Sequence, residues 1–184
     1  MKKTLVVLFA ILGLNLSFAQ TKVGDATLPN TVTFSNASLK LNGAGLREKM
    51  WIDLYACGLY LTNKSSNANT VINADETMAL KLHIVSGLVT QEKMVKAVND
   101  GFEKSKSGKA SDAEIKKFKG FFNDEIVDGT IFDIVYADGK TTVYRNGKEK
   151  GSIEGLAFKQ ALFGIWLGNK PADKDLKEDL LGGN

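Results

Sequence analysis

The chain has 184 residues, with 24 Lys and Arg against 21 Asp and Glu and a formal net charge of +3. That near balance, with basic residues dispersed rather than striped, excludes an electrostatic nucleic-acid binder. A single cysteine, Cys57, excludes an intramolecular disulfide, and with a single histidine, His83, no metal site is expected.

Residues 1–19 read as a secretory signal: Lys2 and Lys3, an apolar run from Leu5 to Leu16, then Ser17-Phe18-Ala19. The cut is expected between Ala19 and Gln20. The run is shorter than the roughly 20 residues a bilayer span needs. The mature chain of 165 residues (184 minus 19) then carries a charge of +1, because two lysines leave with the signal. It is expected as a single domain over residues 20–184, exported to a periplasmic or secreted location, with no stable membrane anchor after cleavage.

Val23–Leu28 and Val32–Leu41 read as short strands. Gly43 and Gly45 mark a turn or bulge where the backbone bends sharply or comes close to something. They lead into Arg47, a permanent cation beside apolar strand sequence, which must be paired or bind something. Met50–Leu61 is rich in aromatic and branched residues and predicts a largely buried strand. Cys57 within it reads as a buried thiol. Thr77–Ile84 alternates as a further strand.

Thr90 caps a predicted helix over Gln91–Lys104, with Met94, Val98 and Phe102 at a spacing of four. Ser111 and Glu114 form a capping box for a helix carrying Ile115, Phe118 and Phe122. Lys104–Lys109 reads as a plain loop between these helices, and Asp124, Glu125 and Asp128 as a solvated acidic loop. Strands Ile131–Tyr136, Thr141–Arg145 and Glu149–Ile153 follow, joined by the hairpin dipeptides Asp138-Gly139 and Asn146-Gly147. A helix over Leu156–Leu167 is apolar nearly all round, hence buried, and a short amphipathic helix over Asp173–Leu181 closes the chain. Strands, helices, a meander and helices again make an α+β fold, an antiparallel sheet covered on one face by helices.

Three segments carry a resemblance: G-A-G-L-R ending at Arg47, Y-A-C-G-L-Y-L over Tyr55–Leu61, and the ending Ala161–Pro171 with Leu176–Gly182. Together they resemble the chalcone isomerase family, and most closely its exported bacterial chalcone isomerase-like branch. The resemblance implies an open-faced β-sandwich with a ligand cleft between sheet and helices. In the family's enzymes that cleft closes a flavanone ring by intramolecular Michael addition. Related non-enzymatic members bind fatty acids, holding the carboxylate with an arginine and a tyrosine. Arg47 matches the family arginine, and Tyr55 the position that is threonine in the enzymes and tyrosine in the fatty-acid binders.

The enzymes also carry a tyrosine, a lysine and an asparagine along a helix entering the cleft. Thr90, Lys93 and Ala97 stand at those places here. Lysine survives, while the donors that would stabilise an enolate do not, and such donors are worth a factor of about 10²–10³ in rate. The resemblance therefore implies a non-catalytic binder of a fatty acid or similar apolar carboxylate, with Arg47, Tyr55, Lys93 and Thr90 as candidate ligand-binding residues and no cofactor. The alternative is an isomerase, an intramolecular lyase of unknown substrate, with Arg47 steadying an anion and Lys93 orienting or deprotonating. A third reading leaves Arg47 paired with Glu48, Asp53 or another carboxylate, pinning the turn. Arg47 and Tyr55 lie eight residues apart, so on one straight strand about 26 Å would separate them. A shared site requires the chain to reverse or bulge near Glu48–Met50.

Overall fold

The computed structural model describes residues 19–183; the predicted signal, residues 1–18 together with its cleavage-site Ala19, thus lies almost wholly outside the described residues. A two-stranded hairpin, β1 (Gln20–Val23) with β2 (Ala26–Pro29), precedes seven antiparallel strands. These are β3 (Thr31–Phe34), β4 (Ala37–Lys49), β5 (Ile52–Leu61), β6 (Met78–Ile84), β7 (Ile131–Ala137), β8 (Lys140–Arg145) and β9 (Lys148–Glu154). They pair strictly in chain order, each with its successor. The helices leave this meander at three points: α1 (Ala68–Asn73) after β5, α2 (Gln91–Lys104) and α3 (Asp112–Gly120) after β6, α4 (Leu156–Leu167) and α5 (Lys174–Leu180) after β9. The α+β reading holds, as an open-faced sandwich.

Several boundaries differ from expectation. Val23–Leu28 is a hairpin rather than a strand, turning at Gly24 with φ +56°. Val32–Leu41 is likewise split by a tight turn at Ser35-Asn36, where both residues have positive φ. Two-residue turns of this kind suit polar residues with short side chains, and alternation alone does not distinguish a hairpin from one strand. Met50 and Trp51 belong to the β4–β5 turn, so that strand starts at Ile52. Helix α1 was not foreseen, since six residues are too few to show a period. The loop at Lys104–Lys109 is docked rather than free: the Ser105 hydroxyl donates to the Ala161 carbonyl at 2.9 Å and the Lys109 N–H to the Ala157 carbonyl at 3.0 Å. Asp124, Glu125 and Asp128 are exposed as expected, and Asp124 also pairs with Arg145 and Lys150 at 3.0 and 2.7 Å.

A bulge at Asn42 decides which face of β4 looks inward. Leu41 opposes Tyr60 and Gly43 opposes Leu59, so Asn42 is the extra residue. A one-residue bulge inverts side-chain parity along the strand. Before it, Leu39 and Leu41 lie on the face of Tyr60; after it, Gly43, Gly45 and Arg47 lie on the helix-covered face with Leu59, Cys57 and Tyr55. The Asn42 side chain is buried and satisfied, donating to the Leu180 and Ser65 carbonyls and accepting from the Ser65 N–H.

The helix-covered face carries the main core, where the Phe122 ring on the turn after α3 lies 4.9 Å from that of Phe132 on β7. The opposite face curls. Phe34 on β3 stacks on Tyr144 on β8 at 6.0 Å, with four strands between them in the sheet, over a second cluster of Tyr60, Ala79 and Val135.

Candidate functional site

The turn at Met50-Trp51 reverses the chain, and it places Arg47 on β4 directly opposite Tyr55 on β5. A second irregularity lies between these pairs, because Glu48 opposes Asp53 and leaves Leu54 as the extra residue. The eight-residue separation thus collapses to a cross-strand pair, whose Cβ atoms lie about 5 Å apart in such a ladder. Both side chains face the helices.

Arg47 is an ion-pair partner. Its Nη1 donates to Asp173 Oδ2 at 2.9 Å and to the Glu48 carbonyl, and its side chain is 21% exposed. Asp173 performs two tasks, since its other oxygen accepts the Asp175 and Leu176 N–H groups as the N-cap of α5. The reading in which Arg47 meets a carboxylate is therefore realised, with a residue 126 positions away rather than Glu48 or Asp53. Those two carboxylates face each other instead. The hydrogen bond and charge of Asp53 raise the Glu48 carboxyl above its ordinary range.

The two glycines before Arg47 are interior to β4 rather than a turn, and α5 explains them. A Cβ on Gly43 would stand 2.0 Å from the Asp179 carbonyl oxygen, and one on Gly45 2.2 Å from Asp179 Oδ2. Only a strand without side chains there lets α5 lie this close. Gly43→Ala should lower stability by about 1–3 kcal/mol through overpacking against backbone. Gly45→Ala meets a movable carboxylate and should cost less. Denaturant midpoints of the two variants check the order.

Tyr55 is buried, and its hydroxyl accepts the Trp166 indole N–H of α4 at 3.1 Å. That leaves the hydroxyl proton to be donated. Burial, followed by the neighbouring Cys57, pushes its pKa well up, against smaller opposing effects from Trp166 and Arg47. The phenol therefore stays neutral and is a donor at any physiological pH. Cys57 is fully buried and its thiol is pushed up by desolvation alone, which is the inert arrangement.

Thr90 and Lys93 occupy the start of α2. The Thr90 hydroxyl accepts the Lys93 N–H at 3.4 Å, and Lys93 Nζ donates to the Leu88 carbonyl at 3.0 Å. Thr90 borders a recess of about 520 Å³ shared with Gly87 and Ile126, and a more open groove of about 860 Å³ runs along β4 beside α5. Neither is lined by Arg47 or Tyr55.

Sequence reasoning passed over Lys159, the one charge on the otherwise apolar α4. It is fully buried, and Nζ donates to the Val71, Ile72 and Ala74 carbonyls at 2.8, 3.0 and 2.8 Å. It thus caps the C-terminal end of α1, with the Tyr136 and Phe163 rings 5.4 and 5.2 Å from the ammonium. The signal was available: a lone lysine in a helix apolar all round needs buried acceptors.

Two kinds of similarity meet on this geometry. The chain is 24% identical over 180 residues to fatty-acid-binding protein 1 of Arabidopsis thaliana, a match covering 78% of this chain and 63% of that protein. It therefore spans less than two thirds of that relative. The crystal structure of an Arabidopsis thaliana fatty-acid binding protein superposes with a TM-score of 0.68 at 23% identity, covering 86% of this chain and 92% of that one, a likeness of fold. The sequence profile described as chalcone isomerase-like matches residues 20–182, nearly the whole described chain, and the protein belongs to the chalcone isomerase-like family.

Proposed function

We propose that the protein is an exported, non-catalytic carrier that holds a fatty acid, or another apolar carboxylate, with Arg47 as the anchor and Tyr55 as a second donor. The observation that carries this reading is the direct opposition of Arg47 and Tyr55 on the helix-facing side of β4 and β5, at the rim of the apolar core. A guanidinium is a fixed fork matched to a carboxylate, and a phenol that stays protonated adds a third bond without opposing charge. The fatty-acid-binding names of the relatives support the ligand class.

The ligand carboxylate would take the place of Asp173 on Arg47. Losing that bond loosens the start of α5, so the entry route lies between α4 and α5, along the link from Gly168 to Asp173. Thr90 and Lys93 would contribute at the mouth of α2 rather than at the carboxylate. The isomerase alternative needs Lys93 to orient or deprotonate a substrate, and its ammonium donates to the Leu88 carbonyl.

The first 19 residues support export and membership of the exported bacterial branch. Sequencing the N-terminus of protein recovered outside the cytoplasm should return Gln20, and an intact Met1 would overturn export. Native mass spectrometry of the purified 20–184 protein, with lipid extraction, tests the cargo. A species of fatty-acid mass should co-purify and disappear in Arg47→Ala. A protein that stays empty when fatty acid is supplied would refute the carrier reading.

A further inference from the structure

Among the described residues, the large exposed hydrophobic side chains all lie at one end of the sheet. Met50 is 75% exposed, Trp51 95% and Ile52 41% on the β4–β5 turn; Leu88 is 50% exposed before α2, and Val127 49% before β7. The ladder puts these segments side by side. Tyr55 pairs with Ile84 and His83 with Ile131, while the Val85 N–H donates to the Leu54 carbonyl at 3.1 Å and the Gly129 N–H to the Ile84 carbonyl at 3.0 Å.

The turn itself is built against local preference. Among the described residues, four two-residue hairpin turns hold both residues at positive φ, and three use Ser35-Asn36, Asp138-Gly139 and Asn146-Gly147. The fourth uses Met50-Trp51, at φ +52° and +62°. A bulky residue there costs about 1–2 kcal/mol, so the indole is retained at the tip against the backbone's preference.

We propose that this end is a docking surface for a lipid bilayer, with Trp51 and Met50 entering the headgroup region. The area selects that partner. The exposed side chains offer apolar surface on the order of a few hundred Å², below the roughly 800 Å² per partner that a stable protein interface buries. Tryptophan is suited to the boundary between headgroups and acyl chains. Lys49, exposed at the base of the turn, is placed for a lipid phosphate. The opposed Glu48 and Asp53, one step further down, form a charged collar that limits depth. Arg47 sits three residues below the tip, about 10 Å. If the carrier reading holds, the cargo anchor faces the bilayer; the docking itself stands on the surface alone.

The test is flotation of the 20–184 protein with phosphatidylglycerol–phosphatidylcholine vesicles, beside the double variant Met50→Asn, Trp51→Gly. Wild type should float with the vesicles and its tryptophan emission should shift to the blue. Trp166, already buried, contributes no shift. The variant should bind at least tenfold more weakly while unfolding at a higher midpoint, because Asn-Gly suits the turn. That rise separates lost docking from lost folding, and the variant should keep its extractable lipid. Wild type that fails to float, a variant that floats equally well, or a dimer that buries Trp51 in place of lipid would each overturn the proposal. An empty protein that still floats would sink the cargo reading and leave the docking intact.

Discussion

Replacing Lys159 with alanine should destabilise the protein by about 3–5 kcal/mol, read as a lower urea midpoint with an unchanged slope. Three carbonyls at the end of α1, two buried and one half-buried, lose their only common donor, and the vacated stem leaves a cavity under Tyr136 and Phe163. Lys159→Met separates the two effects, because it keeps most of the volume and removes only the donors. A methionine variant as stable as wild type would show that the three hydrogen bonds contribute nothing net. The same group sets a pH dependence. Burial lowers its pKa from 10.5 to about 8, outweighing the upward pull of Asp75 and Glu76. Between those values the unfolded chain binds more protons, so this lysine's contribution to stability rises with pH from about 8 to 10.5 and is flat below. Tyr55 and Cys57 act in the opposite sense. Their folded pKa values are raised, so their contribution is lost as pH climbs past the ordinary values of 10.0 and 9.0. The lysine's share is therefore the difference between the stability–pH curves of wild type and Lys159→Met.

Arg47→Ala should weaken fatty-acid retention by about 10–100-fold, the worth of a charge-assisted hydrogen bond to a carboxylate. It should cost little stability, about 1 kcal/mol or less, because the Asp173 pair it breaks is partly exposed. A variant that unfolds instead would make the arginine a pin for α5 and nothing more. Asp173→Asn is the sharper companion. Asparagine keeps the cap on α5, since its side-chain oxygen still accepts N–H groups, but it removes the carboxylate that competes for the guanidinium. If Arg47 is the anchor, Asp173→Asn should bind a long-chain fatty acid more tightly than wild type in a titration. Equal or weaker binding would place the carboxylate elsewhere.

Where the chain's own periodicity was strong, the fold was legible. The amphipathic spacing of Met94, Val98 and Phe102, the Ser111–Glu114 box and the Asp138-Gly139 and Asn146-Gly147 turns all stand where the residues place them. Legibility ended where one residue changed the parity or the direction of a strand. Nothing local marks Asn42 as the extra residue, because its role comes from carbonyls 23 and 138 positions away. The Met50-Trp51 turn was hidden by its own composition, since two bulky apolar residues read as strand.

For the candidate site the division is similar. The residues alone single out Arg47 as a cation needing a partner and the neighbouring glycines as a place of close approach. Those are local facts of charge and side-chain size. Which carboxylate meets Arg47, what lies on Gly43 and Gly45, and that Tyr55 stands across from the arginine were decided only when β4 folded back on β5 and α5 returned from the far end of the chain. Long-range pairing has no local signature, because its energy comes from groups that sequence distance keeps apart and folding brings into contact.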